Sequence, residues 1–407
     1  MTQTQRPGKK RSGHIQAESK DKRPFKLGDI LEYRVVRLFI HLGFFTRRSR
    51  EIYTVGYLDT ATDLDVLAIR YTEPLRREVQ IIECKSGTGD GPMDRVFWLA
   101  GVKQYVGANR ATLVRPATKW NVKDFAGELG IEILDLPHLG ELERAAGVNP
   151  SFWPGSSDRE YFAGQLEEWN RVLNRDAIAK ELFVTLAGEI RFHDPFGGIS
   201  FLLHHLRALT RELQEQRFAC ESLTRYLLAE SVAQLAVFLM RVSELTLSLS
   251  GTDRDGFIRK GLTYGHMDKS VVDRLFSNAK RITSEMIRHY TGHHVNIEDT
   301  YFTMPEPPNI SEVQELVKML VSRPRLADSF PPLTDLLLFE RFLKQREVID
   351  LLPRVFPFTD LKERLLLVQD YLKILGSINA VPESLFGATK KPHPEGAADS
   401  TNVQGSE

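Results

Sequence analysis

Three residues able to act together on a phosphate ester lie in two neighbouring apolar runs, "DLDVLAIRY" and "VQIIECKSG". Asp65 opens the first run; Glu83 and Lys85 close the second, in the pattern D-x17-E-x-K. Positions two apart in a strand point to one face, so Glu83 and Lys85 project together. The runs are joined by a short Pro-containing turn and predict an antiparallel hairpin. Folding it back brings Asp65 opposite residues 83–85, and a register against Glu83 or Lys85 puts all three side chains on one face. Cys84 then points into the core, its carbonyl available as a further ligand. Two acids and a lysine converging at a strand end are costly unless they bind something. Mg²⁺, which takes a few carboxylates together with waters and a substrate phosphate, is the economical answer, with Mn²⁺ as an alternative. Asp65 and Glu83 would hold the metal, which supplies Lewis acidity and a nucleophile near neutral pH. Lys85 would orient or deprotonate the attacking water, or stabilise charge on the phosphate. The competing readings are a turn signal for Asp65 and an ordinary surface ion pair for Glu83 and Lys85.

Three further sets of residues bear on this group. Glu32 falls on the apolar side of a helix carrying Leu31, Val35, Leu38 and Phe39. It either faces the site or closes a capping box with Asp29. Gln104 is the polar member of a stripe Met93, Phe97, Ala100, Gln104 and Ala108 that is expected to face inward. It is read as touching the phosphate or steadying Lys85, or as an ordinary amide. Arg47, Arg48 and Arg50, in "TRRSREIY", are expected either to contact DNA phosphates, with salt-dependent affinity, or to form a solvated strand edge.

These residues need a frame to hold them. A helix ends at Gly43, strands follow through the hairpin, a helix runs from Pro92 to Ala108, and "RATLVRP", "VKDFAGELG" and "IEILDLP" read as strand, helix, strand. That is an α/β domain over residues 26–148. Residues 149–158, "NPSFWPGSSD" within them, have the composition of a linker. Residues 159–386 are helix-periodic throughout and predict one or two all-α domains. Residues 1–25 read as a basic disordered arm and residues 387–407 as a disordered tail; residues 1–26 hold eight Lys/Arg against two acids. The arm would bind phosphate or have no role.

Composition narrows the function. The formal net charge of the 407 residues is zero, so charge alone names no partner. Two cysteines, Cys84 and Cys220, suggest neither a disulfide framework nor a zinc cluster. They favour a reducing, cytoplasmic setting, and the polar start is not a signal peptide. "YLLAESVAQLAVFLMRVSELTLSL" carries Glu230, Gln234, Arg241 and Glu244 and reads as a core helix rather than a membrane span. No phosphate-binding glycine loop is present, so no nucleotide cofactor is expected. The histidines, including "HDPFGG" and "TGHHVN", lack metal-ligand spacing.

The order "GDILE", "DLDVLA", "ECK", "KQYVGAN" resembles the PD-(D/E)XK nuclease pattern, in the manner of Mrr-like restriction endonucleases and archaeal-type Holliday-junction resolvases. The resemblance covers residues 26–140. It implies a restriction-endonuclease-like mixed sheet flanked by helices, followed here by a mostly helical region. It also implies Mg²⁺-dependent cleavage of DNA, with Asp65 and Glu83 as metal ligands, Lys85 as the catalytic lysine, and Glu32 and Gln104 as auxiliary residues. No proline precedes Asp65. The expectation is an endonuclease of restriction, phage defence or repair, whose helical region selects the target or binds a protein partner. RNA is the alternative substrate. A non-catalytic scaffold working through its helices is the alternative function.

Overall fold

The structure is a computed structural model that describes residues 27–53, 60–87, 91–187, 194–265, 267–293, 297, 304–382 and 385. The basic arm and the C-terminal tail lie outside the described residues.

The N-terminal region is a five-stranded mixed sheet with helices packed on it. Helix α1 (Leu27–His41) leads into β1 (Phe45–Tyr53), β2 (Thr60–Thr72) and β3 (Arg76–Cys84), three antiparallel neighbours. Two crossovers follow: α2 (Pro92–Val106) to β4 (Arg110–Arg115), and α3 (Trp120–Glu128) to β5 (Ile131–Asp135). They make β3, β4 and β5 parallel, and the spatial order β1-β2-β3-β4-β5 follows the sequence. The hairpin forms where the two apolar runs predict it. Val66, Leu67, Ala68 and Ile69 are all buried, so β2 is covered on both faces. The polar side of α1 is covered too: α4 (Leu136–Ala145) supplies Glu143, which takes Arg34 at 2.6 Å and Arg37 at 3.0 Å.

The remainder is helical: α5 (Arg159–Leu173), α6 (Ala177–Ala187), α7 (Pro195–Glu215), α8 (Glu221–Thr246), α9 (Gly251–Tyr264), α10 (Lys269–Thr291), α11 (Ile310–Ser322), α12 (Pro324–Ala327), α13 (Phe330–Leu337), α14 (Leu352–Val355) and α15 (Leu361–Ser377). α8 is the one helix among the described residues long and apolar enough to cross a membrane, and 89% of its apolar window is buried inside the fold. It lies across the sheet. Its Glu230 takes Arg47 of β1 at 2.8 Å, its Val237 carbonyl accepts from the Tyr71 hydroxyl of β2 at 3.2 Å, and its Glu244 accepts from the Arg77 N–H of β3 at 3.1 Å. These contacts recur every seven residues along α8 and step from strand to strand. One continuous apolar core therefore runs from the sheet into the helices.

The later part of the Pro/Gly/Ser stretch, residues 152–158, is packed into this junction rather than forming a free linker. Gly155, with φ +54°, donates its N–H to the buried Glu340 carboxylate at 2.7 Å. A Cβ at Gly155 would stand 3.3 Å from the Leu336 side chain, so both conformation and space favour glycine there. Lys344 joins Glu340 at 2.7 Å and Asp158 at 2.9 Å, closing a second buried ionic group.

Arg47 and Arg50 differ from their expected role. Both are buried, at 4% exposure, and neither is placed to meet a DNA phosphate. Arg47 binds Glu230 and also Asp335 of α13 at 2.6 Å; Arg50 binds Glu230 at 3.0 Å and the Leu186 carbonyl. Residues three apart in a regular strand point to opposite faces. Ser49 between them, at φ +51°, turns the chain so that both guanidiniums reach one carboxylate. Burial works against the Glu230 charge, but the two arginines outweigh it and hold the carboxyl down at about 2. Replacing Glu230 with Ala leaves two buried guanidiniums short of their shared partner. It should cost about 3–5 kcal/mol in urea unfolding. Glu306→Ala, which opens the exposed pair with Arg259, should cost less than about 1 kcal/mol.

Candidate functional site

The hairpin register builds the site. Val66 pairs with Ile82, so one step on Asp65 faces Glu83 across the strand pair. On the other side of β2, Arg48 pairs with Val66 and Arg50 with Leu64, which brings Ser49 beside Asp65. Asp65 Oδ2 accepts from the Cys84 backbone N–H at 2.6 Å, fixing that carboxylate against the end of β3. Glu83 is 3% exposed, and its Oε1 lies 2.6 Å from Lys85 Nζ and 3.6 Å from Arg95 Nη1. Lys85 and Arg95 are each about one-third exposed, so the cations stand between the buried acids and solvent.

The electrostatics follow from two acids meeting inside a partly dry strand end. Burial raises both carboxyls, and the Asp65 charge pushes Glu83 further, to about 7, against the pull of Lys85 and Arg95. For Asp65, burial wins over the Cys84 N–H and Lys85, and its pKa is also raised. Lys85 is held above its ordinary value: burial works against its charge, but the Glu83 contact and the charges of Glu83 and Asp65 prevail. The contact with Glu83 thus favours its ammonium form, a donor and a positive charge. Cys84 is buried with its thiol pushed up, first by burial and then by Asp65, Glu32 and Glu83.

Glu32 thus lies near enough for its charge to be felt at Cys84, but its own partner is Arg48, at 3.0 Å. Arg48 in turn stacks over Tyr33, 4.3 Å from the ring centroid. Glu32 and Arg48 form a paired layer on the α1 side of the site. The Asp29 side chain of the alternative capping box lies outside the described residues.

Gln104 departs from its expected position. The buried side of α2 is Val96, Leu99, Val102 and Val106. Phe97 is 57% exposed and Gln104 is exposed, so the stripe through Met93, Phe97 and Gln104 is not the one turned to the sheet. Phe97 instead meets Phe125 of α3 edge-on at 5.4 Å. The aliphatic side chains at 96, 99, 102 and 106 outcompete the mixed stripe for the apolar surface of β4 and β5.

Arg95, in the first turns of α2, is the site residue that spacing alone did not reveal. Its sequence signal is weak: a lone arginine ten positions beyond Lys85 on an unremarkable helix.

No family model, curated protein or solved structure matches this chain.

Among the described residues, no group of three or more His, Cys, Asp and Glu side chains is arranged to hold a metal ion. Asp65 and Glu83 form a pair, which suits an ion that completes its shell with water and phosphate oxygens. Their mutual repulsion in a desolvated corner is what a divalent cation would relieve, and a proton relieves it otherwise. The folded chain binds that proton more tightly than the unfolded chain, where Glu83 titrates near its ordinary 4.5. The stability it contributes is fully present below about 4.5 and lost as pH rises through about 7. Wild type should therefore lose unfolding free energy relative to Glu83→Gln across this window in urea titrations. Saturating Mg²⁺ should restore the loss in wild type and not in the variant.

Proposed function

We propose that the protein is a cytoplasmic, metal-dependent DNA endonuclease of the PD-(D/E)XK kind, serving restriction, phage defence or repair. The observation that carries the reading is the meeting of Asp65 and Glu83 across β2 and β3, with Lys85 on Glu83. An unused acid pair is expensive to bury. A scaffold would have no need to hold Asp65 on a backbone N–H and Glu83 under two cations.

Asp65 and Glu83 are the residues that would hold Mg²⁺ or Mn²⁺, and the metal would supply Lewis acidity and an activated water. Lys85, fixed as an ammonium, stabilises negative charge on the scissile phosphate and orients the attacking water by donation. That favours its electrostatic role over that of a general base. Arg95 reaches the same carboxylate from the solvent side. A bound phosphate can draw its guanidinium away from Glu83, giving it two anchoring hydrogen bonds. Glu32 steadies this end of the sheet through Arg48. With Arg47 and Arg50 committed to the core, DNA contact falls to Lys85, Arg95 and the basic residues 1–25.

Cleavage of supercoiled plasmid and of RNA, assayed side by side with Mg²⁺ and Mn²⁺, tests the proposal. Asp65→Ala and Lys85→Ala should abolish cation-dependent cleavage of DNA while circular dichroism stays unchanged. Arg95→Ala should lower the rate by about 10²-fold, the scale of one transition-state donor. Unchanged cleavage in both Asp65→Ala and Lys85→Ala would sink the assignment. Preferential cleavage of RNA would transfer it to the other substrate. A chain that neither cleaves nor shows calorimetric Mg²⁺ binding dependent on Asp65 and Glu83 would be the scaffold.

A further inference from the structure

A cavity of about 460 Å³ lies in the helical region, between the segment that continues α13 and the face of α15. Its size is ordinary for a small-molecule site. Leu338, Leu352, Val368 and Leu372, all buried, line it. Arg341 and Lys362 are the charged side chains among its described lining residues, and Gln369 is a third polar one. Lys362 and Gln369 are exposed and so belong to the mouth. Ile349 also lines it and is 78% exposed, a large aliphatic group left in water beside an apolar hollow.

The wall of this cavity is built irregularly. Residues Leu338–Leu343 form a π-helical turn, with Lys344 N–H donating to the Phe339 carbonyl five residues back at 3.0 Å. Such turns are rare, and they occur frequently at functional sites. This one sends Glu340 inward to Gly155 and Lys344, while Leu338, Arg341 and Phe342 line the cavity. An apolar hollow with cations and no acids among its described lining residues is complementary to a ligand with an apolar body and a negative head.

We propose that this cavity binds an amphiphilic anion, an aliphatic chain or ring system bearing one carboxylate or phosphate. The apolar body occupies the hollow and covers Ile349, and the head meets Arg341 and Lys362. The assignment is independent of the carboxylate site on the sheet.

Calorimetry on the full-length chain tests it, with monomeric dodecanoate and dodecyl phosphate as probes and dodecanol and dodecyltrimethylammonium as controls. Both anions should bind one to one, and the two controls about tenfold or more weaker, as expected for loss of one charge-assisted contact. Leu365→Trp, which places an indole in the cavity, should abolish binding with the helical circular dichroism retained. Lys362→Glu, at an exposed position, should weaken dodecanoate about tenfold and leave dodecanol unchanged. Equal affinity for anion and cation, or undiminished binding by a folded Leu365→Trp chain, would overturn the proposal. So would uptake of anionic phosphatidylglycerol vesicles without binding of monomeric dodecanoate, which would point to a membrane surface. Leu385 also lines the cavity and Phe386 follows it. Binding seen only in Phe386→Ser would make the chain's own tail the occupant and overturn it equally.

Discussion

The fold turns on one buried carboxylate. Glu230 sits in the middle of α8 at 1% exposure and holds Arg47 and Arg50 of β1 together, with Asp335 of α13 sharing Arg47. Three separate stretches of chain are tied at this point: the edge strand, the helix that crosses the sheet, and the helix that leads to the π-turn. A buried ionic group of this kind is a poor source of net stability, because desolvation takes back most of the attraction. What it supplies is geometry. The guanidiniums can be buried only where Glu230 meets them, so α8 can lie on the sheet in only one place along its length. Tyr71 and Arg77 then find Val237 and Glu244 one and two heptads further on.

The same constraint reaches the carboxylates. β1 must bend at Ser49 for both arginines to face Glu230, and Ser49 lies beside Asp65. Asp65 is held in turn by the Cys84 N–H. The helical region is thus joined through one strand to the residues proposed to do chemistry. Its relation to the sheet is that of a shared core rather than an appended module.

What the sequence disclosed follows the range of the forces involved. The hairpin, the two crossovers and the meeting of Asp65 with Glu83 are written in period-two runs, turn residues and spacings of 30 positions or fewer. They could be read locally. The fate of Arg47 and Arg50 could not, since Glu230 lies 183 residues from one and 180 from the other. A basic strand looks the same from sequence whether its partner is a distant carboxylate or a phosphate. The one trace of the arrangement is the fourteen-residue interval, two heptads, between Glu230 and Glu244 on a largely apolar helix. Gln104 failed for another reason. With apolar residues at 96, 97, 99, 100 and 102, α2 offers two stripes, and only packing against β4 and β5 selects between them.

The charge balance at the strand end gives the last link. Asp65 and Glu83 carry two potential negative charges; Lys85 and Arg95 carry two positive ones, and Arg48 neutralises Glu32 nearby. With both acids ionised and no cation bound, the group is neutral but strained, because the acids face each other in a desolvated corner. A proton on Glu83 removes the strain and leaves one excess positive charge. A divalent cation removes it and leaves two. Every arrangement that relieves the buried pair therefore makes the exposed side of the site positive, and Lys85 and Arg95 stand on that side. An anion is what such a site attracts. A phosphodiester would add oxygens that can reach both a metal and two donors, which is the chemistry the proposed nuclease requires of this corner.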